Sequence, residues 1–160
     1  MEAEFDQLAR AVPGAALIVT AAAGDDREGC LVGFATQAGV RPPRLLVCLS
    51  VKNATFHTAE RATHLGVHPV PRSRLDLAEL FGGETGDDVD KFARCRWEAG
   101  PGGEPLLLDC PLRLSGRVLQ RYPFGDHVGH LLEPVAVWAV ERFEPLGIRE
   151  AGGIDPGHEP

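Results

Sequence analysis

The sequence predicts a mainly β protein with short helices, arranged as an antiparallel barrel that carries its helices on the outside. Glycine and proline, at 19 and 13 residues, fill a fifth of the 160-residue chain, above their usual share of about 12%. This excess favours many short elements joined by turns. Apolar runs also follow one another with only one or two helical segments between them, so a doubly wound α/β fold is the less favoured alternative.

The first half of the chain contains one helical segment and three apolar runs. A short helix is expected around residues 4–10, and residues 14–23 form a continuous apolar, β-branched run that ends at the turn sequence GDDREG. The next run, residues 30–36, is its natural hairpin partner. Residues 37–43 are predicted as a loop, because each proline pushes its predecessor toward extended geometry. Residues 44–50 then form a buried strand.

The middle of the chain mixes short helices with a strand. Asn53 is a good N-cap for the helix that follows it. Residues 64–70 alternate like a strand, and residues 73–81 suit a short helix with Ser73 as its cap. A polar loop comes next, in which one more helical turn is predicted near Asp88.

Two long runs typical of extended chain, residues 112–122 and 127–140, meet at the stretch FGDHVGH, residues 124–130. It is therefore predicted to form the tip of a hairpin or a bulged corner. The stretch places Asp126 beside His127. An imidazole next to a carboxylate can hold one tautomer, donate to a ligand carbonyl or relay a proton, whereas Asp126 on its own is also a common turn residue.

Composition and charge argue against several classes of protein. Hydrophobic residues make up 44% and charged residues 24%, as in ordinary globular chains. The net charge is −7 and no block of basic residues stands out, so nucleic acid is not an expected partner. The four cysteines form no C-x-x-C motif, which favours buried, reduced thiols over a zinc knuckle or a redox dithiol. They are Cys30, Cys48, Cys95 and Cys110.

The histidines do not predict a metal site. His127 and His130 would point to opposite faces of a strand, and no third ligand lies near them in the sequence. His64 and His68 would share one face of their strand, where we expect ordinary polar-face residues. No bound metal is expected.

The chain is predicted to be one cytoplasmic domain. Its N-terminal sequence MEAEFDQLAR is acidic and amphipathic, and no apolar run approaches the roughly 20 residues that cross a bilayer. We therefore expect no membrane contact. Residues 1–145 are predicted as the domain, and residues 146–160, rich in turn formers, as a flexible C-terminal tail.

Two polar segments are candidate binding sites. The first combines hydroxyls, an amide and an ammonium with the start of a helix, a set suited to phosphate. Its members are Ser50, Lys52, Asn53 and Thr55. The alternative is a simple helix cap with a solvated lysine. The second segment contains Thr36 and Gln37 after an apolar strand, with Gly39 allowing close backbone approach; its alternative is an ordinary loop.

Taken in order, these segments make the chain resemble the flavin reductase-like proteins of the FMN-binding split β-barrel superfamily. The resemblance covers roughly residues 5–140 and rests on an ordered set of short motifs. The motifs are GAALIVTA, GCLVGFATQ with the following PPRLLVCLS, KNATF, DKF before a tryptophan and a glycine-rich loop, and GDH ahead of the last strand. Each motif alone is weak, but the ordered set is fairly specific.

The resemblance implies a homodimer with FMN, or FAD as an alternative, in a cleft between two barrels. It assigns Thr36 and Gln37 to the flavin ring and ribityl side. It assigns a further set to the flavin phosphate: Ser50, Lys52, Asn53 and Thr55. It also implies a catalytic role for His127 and Asp126 near the flavin and the nicotinamide.

The expected function is reduction of a flavin by NADH or NADPH, with the protein acting alone or as the reductase component of a flavin-dependent monooxygenase. Two alternatives stay open. One is a flavin- or deazaflavin-binding module without efficient NAD(P)H turnover. The other is a barrel without a cofactor that works through its acidic surface as a partner protein. The sequence does not fix the nicotinamide, the physiological acceptor or how tightly the flavin is held.

Overall fold

The computed structural model describes residues 1–12, 14–83 and 90–152. The helices are α1 (Glu2–Ala11), α2 (Ala54–Ala59) and α3 (Leu75–Gly82), with a short 3-10 helix at Lys91–Ala93. The strands are β1 (Leu17–Ala23), β2 (Asp26–Val32), β3 (Ala35–Val40), β4 (Pro43–Ser50), β5 (His64–Pro69), β6 (Trp97–Ala99), β7 (Pro105–Leu107), β8 (Arg113–Pro123) and β9 (His127–Trp138). Of the helices described, none has the length and apolar character to cross a membrane.

Seven strands form one antiparallel sheet in the order β2-β1-β5-β8-β9-β4-β3, and β6 and β7 form a separate pair. The large sheet curls around a core. Strands near both edges of the sheet contribute side chains to this core. Val32 of β2 and Val47 of β4 lie in the same buried cluster. The prediction of a mainly β, antiparallel barrel with few short helices is confirmed.

The barrel wall carries apolar layers on both of its faces where β1 and β5 lie. Side chains alternate across a strand, so β1 sends Val19 inward and Ile18 outward, and both are fully buried. The inner layer also contains Leu49, Leu65 and Leu132. The outer layer is closed by α3 and β7, which contribute Leu77, Phe81 and Leu107. Burial on both faces explains why the sequence of β1 is apolar except for Thr20.

A histidine is fully buried in the outer layer. The backbone N–H of Leu107 donates to Nε2 of His68 at 2.9 Å, so the ring proton is on Nδ1, which donates to the Ile18 carbonyl at 2.9 Å. Burial lowers the pKa of His68 to about 4. The predicted polar-face position was wrong for this histidine, because β7 covers that face of β5.

Three local predictions differ from the structure or fall outside it. Most of the loop predicted at residues 37–43 belongs to β3, which pairs with β4 and leaves a short turn at residues 41–42. Ser73 does not cap α3, since the Arg74 N–H bonds the Pro71 carbonyl at 2.9 Å and this turn starts the helix one residue later. The helical turn predicted near Asp88 lies outside the described residues.

The first part of the predicted tail packs against the barrel. Leu146 and Ala151 are buried in the outer layer, and the Leu146 N–H donates to the Val70 carbonyl at 2.8 Å. Residues 146–152 therefore belong to the packed body rather than extending from it. Residues 153–160 lie outside the described residues.

Candidate functional site

A cleft of ≈ 310 Å³ opens at the side of the barrel. Its apolar wall includes residues from separate parts of the chain: Val32, Phe34 and Ile148. Its polar end carries three hydrogen-bonding side chains: Ser50, Asn53 and His127. An apolar wall with a few convergent polar groups is the usual composition of a small-molecule site.

The pairing of β4 with β9 builds the polar end. Ser50, the last residue of β4, pairs with His127, the first residue of β9. The predicted hairpin tip is confirmed: β8 and β9 are joined through Gly125, whose φ of 95° lies in the left-handed region that favours glycine. The Val51 N–H donates to the Asp126 carbonyl at 3.0 Å. The tip is therefore held against the turn that leads from β4 into α2.

Asp126 and His127 form a hydrogen-bonded pair. The Asp126 Oδ1 and His127 Nδ1 atoms are 2.8 Å apart, and this bond, together with the charge of the imidazole, lowers the pKa of Asp126. The Asp126 side chain is 73% exposed, whereas that of His127 is 27% exposed. The His127 ring packs on Phe34 with the ring centroids 4.9 Å apart. Because Nδ1 is engaged by Asp126, Nε2 is the ring nitrogen available to a ligand.

The turn from β4 into α2 holds the polar cluster predicted from the sequence. Asn53 caps α2, since its Oδ1 accepts from the Thr55 N–H at 3.0 Å. The Ser50 Oγ accepts from the Lys52 N–H at 3.3 Å. Thr55 is fully buried against the Cys30 thiol, but its hydroxyl makes no hydrogen bond of acceptable geometry with any described residue. Thr55 is the buried member of the cluster and does not line the cleft.

Replacing Asn53 with alanine is expected to lower the free energy of unfolding of the ligand-free protein by about 1 kcal/mol, because the Thr55 N–H loses its acceptor. Urea denaturation measures this loss. Asn53→Asp is the matched control, since it keeps an oxygen at the capping position and should stay within about 0.5 kcal/mol of the original protein. Equal losses in the two variants would contradict the capping role.

Thr36 and Gln37 are exposed on the edge strand β3 and do not line the cleft. Thr36 pairs with Leu46, and alternation along β4 places Leu46 on the same face as Cys48, a cleft residue. Gln37 points to the opposite face, and its Nε2 donates to the Gly39 carbonyl at 3.2 Å. Thr36 therefore shares its face with a cleft residue and Gln37 does not, and the ligand contacts of both residues stay a prediction.

Several cleft residues were not identified from the sequence. Phe34 exposes an aromatic ring just before β3, and Ile148 belongs to the segment predicted as a tail. A Cβ atom on Gly33 would lie 2.6 Å from Cγ1 of Ile148, so this glycine allows the close approach of the two segments. A glycine between apolar residues was the one feature of the sequence that could have indicated this close approach. The thiol of Cys48 also lines the cleft, and burial raises its pKa.

His127 and His130 lie on opposite faces of β9, as predicted. His127 lines the cleft, whereas His130 is fully buried and pairs with the core residue Val47. Across residues 1–12, 14–83 and 90–152, no group of three His, Cys, Asp or Glu side chains is arranged to hold a metal ion.

Comparison with known proteins gives consistent matches. A family model described as "Flavin reductase like domain" matches residues 9–151. The chain is 31% identical over 142 residues to an FMN reductase (NADH), RutF, of Stutzerimonas stutzeri, covering 88% of this chain and 80% of that protein. It is 32% identical over 106 residues to RutF of Pseudomonas syringae pv. syringae, covering 64% of this chain and 59% of that protein. The chain thus spans less than two thirds of the second relative's length.

A solved structure has the same fold. It is the crystal structure of an FMN-binding protein from Thermus thermophilus with bound 1-cyclohex-2-enone, which matches with a TM-score of 0.74 and 25% sequence identity. The match covers 84% of this chain and 78% of that one. The barrel described above is therefore shared with an FMN-binding protein.

Proposed function

Because the chain belongs to the flavin reductase like domain family, we propose that it is an FMN-binding flavin reductase that takes reducing equivalents from NADH or NADPH. One observation carries the proposal: the cleft joins an apolar wall to a polar end where a carboxylate holds an imidazole. FMN has two matching parts: an aromatic ring system that suits the apolar wall and a phosphate that suits the polar end. The curated relatives are named as NADH-dependent enzymes, which favours NADH over NADPH.

The residues at the phosphate side fit an anionic group. The proposed contacts are Ser50, Lys52, Asn53 and Thr55. Lys52 brings a positive charge close enough to Asp126 to help lower the pKa of that carboxyl. Ser50 and Asn53 line the cleft and support the assignment directly, whereas Thr55 is buried behind them. Thr36 and Gln37 are the proposed contacts on the ring and ribityl side.

The pair at the hairpin tip is proposed to orient the reacting rings. When bound, the flavin accepts a hydride from the nicotinamide and carries the electrons onward. Nε2 of His127 accepts from the nicotinamide carboxamide when the imidazole is neutral and donates to a flavin oxygen when it is protonated. Asp126 fixes the ring orientation through Nδ1.

The proposal includes a homodimer with the flavin at the subunit interface. Its support is aromatic surface that is exposed in the single chain around the cleft and the hairpin: Phe34, Tyr122 and Phe124. A second copy would cover this surface. Passage of reduced flavin to a monooxygenase and a cytoplasmic location belong to the same proposal. All four cysteines are free thiols, which suits a reducing compartment.

The proposal is tested by the visible spectrum of the purified protein with added FMN, followed by NADH or NADPH without oxygen. Rapid bleaching of the bound flavin band is the expected result. Bound flavin that stays oxidised with both nicotinamides would favour the alternative, a flavin- or deazaflavin-binding module without turnover. No uptake of FMN or FAD would contradict both functions.

A further inference from the structure

We propose that Arg121 is a positioning residue that holds α2 in place for recognition of the flavin phosphate, an inference that rests on the proposed function. Arg121 lies in β8 and does not line the cleft. Its Nη2 atom donates to the carbonyl of Ala59 at 2.8 Å and to that of Ala62 at 2.7 Å. Ala59 is the last residue of α2. One guanidinium therefore caps the C-terminal end of this helix.

A helix as short as α2 depends on such contacts at its ends. It has six residues, too few to be stable alone, and its last carbonyl groups lack partners inside the helix. The turn that leads into its N-terminal end is held by the bond from the Val51 N–H to the Asp126 carbonyl. Both ends of this segment are thus attached to the same β8–β9 hairpin. Asn53 and Thr55, assigned to the phosphate, lie between the two attachments.

A second contact at the same end involves Glu60, the first residue after α2. Its Oε1 lies 3.9 Å from Nε of Arg121 and 3.6 Å from Nε2 of His130. Both nitrogens are buried, and neither has a hydrogen-bond partner among the described residues. Burial lowers the pKa of His130, so Arg121 supplies the positive charge that attracts Glu60. Arg121 therefore holds both the backbone and a side chain at the end of α2.

Arginine and lysine differ at this contact. Nη2 of Arg121 makes both carbonyl bonds, while Nε of the same planar, delocalised cation lies 3.9 Å from the Glu60 carboxylate. A lysine offers one compact ammonium, which can reach the carbonyls but places no positive charge at the position of Nε. Arg121→Lys is therefore expected to keep part of the effect, whereas Arg121→Met removes it.

The test compares the dissociation constants of FMN and riboflavin, which differ only by the phosphate, by quenching of flavin fluorescence. Arg121→Met is expected to weaken FMN binding about tenfold and riboflavin binding less than about twofold. Arg121→Lys should weaken FMN binding about threefold. The matched control is Arg117→Met, on the same strand, which removes an exposed pair with Glu133 and should leave both constants unchanged.

Three results would overturn the inference. Arg121→Met and Arg121→Lys could both keep the original FMN affinity, or a variant could lose FMN and riboflavin affinity equally, which indicates a general loss of structure. The unchanged protein could also bind FMN no better than riboflavin. That result would show that the protein binds flavin but does not recognise its phosphate. Binding of neither flavin by the unchanged protein is a different outcome, since it contradicts the proposed function itself. If Arg121→Met does not fold, the Arg121→Lys constants decide.

Discussion

Replacing His127 with alanine is expected to slow the reduction of bound FMN by NADH about 100-fold, the range of a positioned proton-transfer or hydrogen-bonding group. The affinity for FMN should stay within about threefold of the original protein, because the phosphate contacts lie on the β4–α2 turn. Nε2 of His127 is the ring nitrogen that can meet the reacting rings, since Asp126 holds Nδ1. Anaerobic stopped-flow measurement of flavin bleaching gives the rate, and fluorescence titration gives the affinity.

Two control variants separate this role from general effects. Asp126→Asn keeps an oxygen that accepts from Nδ1 and should lower the rate by no more than about threefold. His57→Ala removes an exposed histidine on α2 that does not line the cleft, and it should leave the rate unchanged. A His127→Ala protein that binds FMN and is reduced at the full rate would remove His127 from the mechanism.

Lowering the pH from about 7.5 to about 5 is expected to reduce the free energy of unfolding by about 2 kcal/mol through His68 alone. The folded pKa of about 4 lies below the ordinary value of 6.5, so the unfolded chain binds the proton more tightly. The stabilisation is complete above about pH 6.5 and is lost as the pH falls toward 4. Protonation would place a second N–H against the Leu107 N–H that now donates to the ring. Urea unfolding at both pH values measures the loss.

The His68→Gln protein is the control, because glutamine does not titrate in this range. It cannot make both backbone hydrogen bonds of the imidazole, so it should be less stable at neutral pH. Its further loss on acidification should be smaller than that of the original protein by about 2 kcal/mol. His130, whose pKa burial also lowers, contributes equally to both proteins and cancels in the difference. Equal pH dependence of the two proteins would show that His68 titrates normally in the fold.

The features that the sequence predicted correctly are those with local causes. The run at residues 14–23 is almost entirely apolar, with Thr20 as its one hydroxyl residue, because β1 is buried on both faces. Gly125 marks the hairpin tip because its backbone needs a positive φ. Asn53 caps α2 because its side chain reaches an N–H two residues away. Each signal lies within a few residues of the structure that it specifies.

The features that the sequence missed depend on contacts between distant segments. The residues of β3 have little apolar character, and they form a strand because β4 supplies the pairing partners. His68 was predicted to be a surface residue because no residue near it in the sequence indicates that β7 covers it. The cleft itself could be predicted only at its polar end, where Ser50, Asn53 and His127 belong to recognisable motifs. Its apolar wall is assembled across the fold.

The contact between Gly33 and Ile148 joins the first quarter of the chain to a segment near its end. During synthesis, β1, β2 and β5 leave the ribosome well before Ile148 does, and they can pair as soon as they emerge. The contact of Gly33 with Ile148 cannot form until the last strand and the residues after it follow. Because Ile148 lines the cleft, the apolar wall of the cleft is completed only after the last strand has been made.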